Sequence, residues 1–243
     1  MCTVTYIPSQ SDQYILTSNR DESAQRVSSA PEFHLAQKQQ LIFPVDPKSG
    51  GSWIATAPNN HTACLLNGAF EKHRHQPPYR RSRGLVLLDS FQYTDASKFT
   101  NDYDFIGIEP FTLVFCRPSQ LFEIRWDGKE IHSLQLDPVQ PYIWSSSTLY
   151  EQPVRDQRAQ WFETWLNQNS TPGLKQIMDF HRFGGEKDLV NGLVMNRNNQ
   201  VQTLSITAVF KEASNISMHH LDLLKDQQTQ RSMAITHESV ATN

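Results

Sequence analysis

The chain has 243 residues, with 22 Lys and Arg against 25 Asp and Glu, a net charge of −3 and 38% hydrophobic residues. A length of this order suits one large α+β domain as well as two small ones, and it buries enough surface to need no covalent staples. The near-neutral balance leaves no global basic field for nucleic acid or an anionic membrane, and no apolar run reaches the roughly 18 residues of a membrane span.

The opening MCTVTYIPSQSDQ lacks the basic and apolar regions of a secretory signal. Residues 2–7 alternate as Cys-Val-Tyr on one face and Thr-Thr-Ile on the other, which is a strand pattern. Residues 8–12 are a turn cluster, and residues 13–18 continue as a second strand that ends in Asn19-Arg20-Asp21-Glu22. Residues 23–48 read as loop. After Gly50-Gly51, residues 52–57 and 62–66 form a hairpin about the turn Pro58-Asn59-Asn60-His61. A polar loop over residues 71–83 leads to a short helix over residues 84–91.

Residues 111–116 and 121–126 make another hairpin about Arg117-Pro118-Ser119-Gln120, and residues 131–136 and 142–146 add strands. Residues 154–167 read as an amphipathic helix, with Val154, Ala159, Trp161, Phe162, Trp165 and Leu166 mostly on one face. Residues 174–183 form a second helix. Strands return at 189–195, 201–209 and 216–223, and the polar tail from Lys225 is expected to fray. Strands, then helices, then strands, without βαβ alternation, indicate α+β architecture with mostly antiparallel sheets. No linker or repeat divides the chain, so residues 1–243 read as a single domain.

The first hairpin carries the most chemical information. Its turn near residues 10 and 11 sets Cys2 opposite Asn19, within a residue or two, and so beside Arg20 and Asp21. A small second residue is the situation in which Met1 is normally removed. The exposed α-amine would then titrate at about 7.7–8.0 and serve as base for its own thiol, which ordinarily titrates at about 8.5. Arg20 would favour the thiolate, and Asp21 would hold the ammonium form. Three cysteines (Cys2, Cys64 and Cys116) do not make a disulfide framework, and a reducing cytoplasm is the expected compartment. Cys64 and Cys116, among apolar strand neighbours, are expected to be buried and slow to react.

Met1-Cys2-Thr3 followed by Ser18-Asn19-Arg20-Asp21-Glu22 resembles the opening of the NRDE family, also called the transport and Golgi organisation protein 2 family. Gly50-Gly51-Ser52-Trp53, Leu65-Leu66-Asn67, Arg81-Ser82-Arg83-Gly84 and Ser145-Ser146-Ser147-Thr148 resemble further family elements in the same order and spacing. The family in turn resembles choloylglycine hydrolases and related N-terminal-nucleophile amidases. That resemblance implies a four-layer αββα sandwich and C–N amide hydrolysis or acyl transfer through Cys2. It implies Cys2, Asn19, Arg20, Asp21 and Asn67 as the catalytic set, with Asn67 as oxyanion donor. Those amidases carry R-N-x-D where this chain has N-R-D. They also have a second oxyanion asparagine, to which Ser146 lies nearest, and a late arginine that has no counterpart around Asp188 to Gly192.

The basic loop of Lys72-His73-Arg74-His75 and Arg80-Arg81-Ser82-Arg83 lies between Asn67 and the next helix. It places Arg81 and Arg83, with Ser146, as substrate-binding residues at the rim of a Cys2 pocket. The ligand would be a small acyl, amide or lipid-like molecule. Neither a metal nor a cofactor is expected, since no CxxC or HExxH occurs and His73-x-His75 is too sparse a set. The alternative the resemblance carries is a non-catalytic lipid-, acyl- or haem-binding or trafficking protein that uses the same pocket.

Overall fold

A computed structural model describes residues 3–10 and 12–236; Cys2, and the assignments that fall on it, lie outside the described residues. Two antiparallel sheets stack face to face. The first has the order β10 (Tyr142–Ser145), β1 (Thr3–Pro8), β2 (Tyr14–Glu22), β12 (Val201–Lys211), β13 (Asn215–Asp222) and β14 (Gln227–Ala234), with β11 (Asn196–Arg197) paired to β12. The second runs β3 (Glu32–Ala36), β4 (Gln39–Phe43), β5 (Ile54–Thr56), β6 (Thr62–Asn67), β7 (Phe111–Arg117), β8 (Gln120–Trp126) and β9 (Ile131–Leu136).

Strand alternation produces three apolar layers. Val4, Leu16 and Met218 of the first sheet meet Ile54, Cys64, Leu66 and Val114 of the second. On the outer face of the second sheet, Leu65, Leu113 and Phe115 pack under α1 (Arg83–Asp89) and α2 (Ala96–Asp102) through Leu87 and Phe99, and under Phe91 in the short turn after α1. On the outer face of the first, Ile7, Ile15 and Ala208 pack under α3 (Gln152–Gln168) and α4 (Leu174–Phe183) through Phe162, Ile177 and Phe180. The architecture is the αββα sandwich, with Trp161 and Trp165 packed against the third layer.

The first hairpin has Thr3 opposite Asn19 and Val4 opposite Ser18, one residue from the expected register. The second strand does not stop at Ser18. It runs through Glu22, and Asn19 to Glu22 are paired to β12 across a bulge at Thr203/Ser205. Three expectations are corrected. The stretch 23–48 contains the β3–β4 hairpin, whose turn residues Gln37 and Lys38 both take positive φ (52° and 62°). That conformation usually announces itself as Asn-Gly, so the sequence carries no turn signal. The tail is not frayed over 227–234, where β14 pairs with β13 as an edge strand that buries Met233.

Residues 189–195 are not a strand. Their polar groups are satisfied by side chains and turns: the Asn191 and Gly192 carbonyls accept from Arg158, and the Leu193 carbonyl accepts from Asn19.

Gly51 and Gly84 meet where α1 docks on the loop before β5. A Cβ on Gly51 would lie 2.4 Å from the Gly84 carbonyl carbon, and Ser52 N donates to Gly84 O at 3.2 Å. The contact is backbone on backbone, so nothing flexible can yield. Gly51→Ala is expected to destabilise the fold by about 1–3 kcal/mol, the usual range for overpacking. Urea unfolding checks this, and a midpoint equal to wild type would mean that the two segments are free to separate.

Candidate functional site

The consecutive residues of the Asn19-Arg20-Asp21 triplet serve opposite faces of the sheet, because side chains alternate along a strand. Asn19 and Asp21 face the α3–α4 layer. Asn19 Nδ2 donates to the carbonyls of His181 (3.0 Å) and Leu193 (2.6 Å), and its Oδ1 meets His181 Nδ1. Asp21 accepts from Tyr150 Oη at 2.7 Å and from Thr203 Oγ1 at 2.5 Å. These two residues tie the end of β2 to the helices and to the 189–195 loop.

Arg20 faces the other way and is almost wholly buried. Its guanidinium lies 4.8 Å from the Trp53 ring centroid, donates to the Arg26 carbonyl at 2.7 Å and pairs with Asp46 at 3.1 Å. Burial draws the Arg20 pKa down, and Asp46 opposes that shift. Burial alone would raise the Asp46 carboxyl, but Arg26 and Arg20 outweigh it and hold it below the usual carboxylate range. Arg26 extends the chain of charges, contacting Asp46 at 2.8 Å and Glu22 at 2.8 Å.

These groups form one wall of a cavity of about 440 Å³. Trp53 and Leu65 supply apolar surface, Asn67 stands at the end of β6, and Tyr79, Arg81 and Arg83 close the far side. Arg81 is clamped to Asp89, and Arg83 contacts Glu109 at 3.0 Å, so both are held by carboxylates. Glu109 also meets His73 Nε2 at 3.1 Å and His75 Nδ1 at 3.0 Å, which ties the basic loop to the cavity wall. In this cavity each guanidinium has a carboxylate partner.

Asn67 is different. Its backbone carbonyl accepts from Ser146 Oγ at 2.8 Å, but its side-chain amide makes no hydrogen bond among the described residues. The backbone is therefore fixed while the amide has no partner among the described residues. Ser146 itself is buried, bonded to Asn67 and Thr148, and lies behind the Asn67 backbone rather than in the cavity wall. The structure thus brings together Arg20, Asn67, Arg81 and Arg83, and sets Asn19, Asp21 and Ser146 outside that cavity as supports. Sequence reasoning did not single out Asp46, Glu109, Tyr79 or Arg26. Only Trp53 had a signal, in the Gly-Gly-Ser-Trp element. Cys64 and Cys116 are fully buried, and burial pushes the Cys64 thiol up to about 12. Among the described residues no cluster of three or more His, Cys, Asp or Glu has the geometry to hold a metal, and no helix is long and apolar enough to cross a membrane.

Known proteins place this geometry in context. A sequence model of the family described as Transport and Golgi organisation 2 matches residues 1–239. Comparison with curated protein sequences returns no match. Among solved structures, the chain is similar to a mutant of the conjugated bile acid hydrolase from Clostridium perfringens, with a TM-score of 0.58 at 8% identity over 100% of both chains. A second variant of that hydrolase gives the same values. A Caenorhabditis elegans N-acylethanolamine-hydrolyzing acid amidase ortholog is similar with a TM-score of 0.50 at 11% identity, over 85% of this chain and 92% of that one. At such identities the likeness is one of fold, and the fold is that of the N-terminal-nucleophile hydrolases.

Proposed function

This chain belongs to the Transport and Golgi organisation 2 family, and from that premise we propose that it cleaves or transfers acyl groups at C–N amide bonds through Cys2 as an N-terminal nucleophile. The observation that supports this most is the Asn67 amide, a donor without a protein partner among the described residues, in one cavity with the buried Arg20. Thr3 is paired with Asn19 on one side and Ser145 on the other, and Ser146 anchors Asn67. Thr3, at the start of β1, therefore lies among the elements that carry both Arg20 and Asn67. The proposal requires the Cys2 side chain to share the face of Val4 and Tyr6, toward the second sheet.

In this reading the Cys2 thiol gives its proton to the α-amine as its sulfur attacks the acyl carbonyl. The carbonyl π-pair moves onto oxygen, where the Asn67 amide donates to the developing oxyanion. Collapse breaks the C–N bond, the ammonium returns the proton to the leaving amine, and an acyl-thioester remains on Cys2. Water, or an acceptor amine or thiol, then attacks the thioester and regenerates the thiol. Arg20 favours the thiolate electrostatically. It is itself held in place by Asp46 and Trp53. Tyr79, Arg81 and Arg83 contact the bound ligand from the far side of the cavity.

Thiol reactivity tests the premise. Under native conditions iodoacetamide is expected to label Cys2 well before Cys64 and Cys116, which burial keeps protonated. Peptide mapping of a time course reads the order, and the same peptides reveal whether Met1 is absent, as an amine base requires. Equal labelling rates at all three cysteines, or a retained Met1, would rule out the mechanism.

A further inference from the structure

A second cavity, of about 1000 Å³, opens beside the first turn of α3 and the loop after Asn67. Its lining includes Lys72, Arg125, Tyr150, Arg155, Asn191 and Arg197. Its electrostatics are unlike those of the first cavity. Arg125 is paired with Glu123 at 2.8 Å, but Lys72, Arg155 and Arg197 form no ion pair among the described residues. Arg197 lies 5.0 Å from the Tyr150 ring centroid and donates only to neutral acceptors, the Leu149 and Val190 carbonyls and Asn191 Oδ1. Arg155 goes further. Its guanidinium makes no hydrogen bond to any described residue, and its Nε is buried without a partner. Beneath the same Tyr150 ring, the fully buried Arg158 lies 3.6 Å from the centroid and is likewise satisfied by carbonyls and Thr3 rather than by a carboxylate.

A protein rarely leaves a buried polar nitrogen unpaired, and an unbalanced charge in a cavity wall costs more still. Glu71 and Glu151 also line this cavity, but both are exposed and neither makes an ion pair among the described residues. We propose that the second cavity is an anion site, in which Arg155 and Arg197 hold a carboxylate or phosphate group of a ligand. The planar guanidinium fork suits either oxyanion through paired N–H donors. Arg155 also lines a smaller cavity of about 190 Å³ that includes Ser145, the ladder partner of Thr3. A ligand anchored by its anionic end at Arg155 can therefore extend toward the start of β1. On the acyl-transfer reading, this makes the substrate class an acyl compound with an anionic group on one side of the scissile bond. The anion site itself stands whether or not that chemistry occurs.

The test is isothermal titration of the full chain at low salt with inorganic phosphate and, separately, acetate, in wild type, Arg155→Met, Arg155→Lys and Arg26→Met. Because the Arg155 guanidinium supports no other residue, Arg155→Met is expected to fold and melt as wild type does. It should bind the anion about ten- to a hundredfold more weakly, the factor that one or two charge-assisted hydrogen bonds supply. Arg155→Lys should fall between, and Arg26→Met, in the first cavity, should bind normally. Tighter binding of phosphate than acetate points to a phosphorylated ligand, and the reverse to a carboxylate. Equal affinity in wild type and Arg155→Met would overturn the proposal, as would binding lost only in Arg26→Met or no binding of either anion to wild type.

Discussion

Cys2→Ala is expected to abolish acyl transfer while leaving the melting temperature unchanged, and Asn67→Ala is expected to slow turnover by about 10²–10³-fold with little change in substrate affinity. The first effect follows from removing the atom that forms the covalent bond. The second follows from removing a donor that works in the transition state, which raises the barrier by about 2.7–4 kcal/mol. The Asn67 side chain has no structural partner among the described residues, and the bond from Ser146 goes to its backbone carbonyl, which alanine keeps. A stability change therefore does not confuse the reading. Steady-state kinetics on acyl amides, with melting curves for each variant, separate the outcomes. If Cys2→Ala binds ligands normally and no protein of the set turns over any acyl amide, the chain is a binder rather than an enzyme.

Acidification should unfold this protein early. His181 is fully buried between Asn19 and Thr5, and burial pulls its pKa down to about 3. His220 is buried against Thr207, and burial lowers it to about 4. The His61 ring nitrogens have no hydrogen-bond partner among the described residues, the ring is stacked 4.1 Å from Phe91, and burial pulls it well below its ordinary value. In the unfolded chain each titrates near 6.5, so the unfolded state takes up protons first as pH falls. The stabilisation is complete above about pH 6.5. It is lost at up to about 1.4 kcal/mol per pH unit for each histidine, until the folded value is reached. Against a total stability of order 5–15 kcal/mol, three such groups are decisive. Urea unfolding between pH 7 and 4 should show this slope, and His220→Gln should reduce it. A stability that stays flat down to pH 4 would mean that these rings are charged or hydrated in the folded state.

The α+β class with antiparallel hairpins was legible from strand alternation and from turns rich in Asn, Pro and Gly, whereas the four-layer sandwich was implied only by the family resemblance. The buried strand over 111–117 and the turn Arg117-Pro118-Ser119-Gln120 that follows it illustrate the former. What was hidden had physical causes. The β3–β4 turn uses Gln37 and Lys38 in a left-handed conformation that neither residue advertises. The short helix α2 buries only Ala96 and Phe99, too few positions to establish a period, although Asp95 caps it. β14 is a polar edge strand whose exposed residues resemble a tail. The apolar run 189–195 looked like a strand, yet its carbonyls serve Arg158 and Asn19.

The candidate site was half visible. The conjunction of Asn19, Arg20 and Asp21 could be read as a cluster, but the sequence could not assign its members to different layers before the faces of β2 were known. Strand parity then sends Arg20 to the cavity and its neighbours to the helices. Asp46 and Glu109, which hold Arg20 and Arg83, sit in loops far away in sequence and belong to no periodic pattern. The second cavity had still less signal, because an arginine without a counter-charge is recognised only once its surroundings are assembled.

The most direct test of the central claim is intact mass and peptide mapping after brief incubation with a panel of N-acyl amides, quenched in acid to preserve thioesters. An acyl adduct confined to the Cys2 peptide, absent in Cys2→Ala and accumulating more slowly in Asn67→Ala, is the expected result. No adduct with any acyl donor, or an adduct distributed over Cys64 and Cys116 as readily as over Cys2, would contradict it.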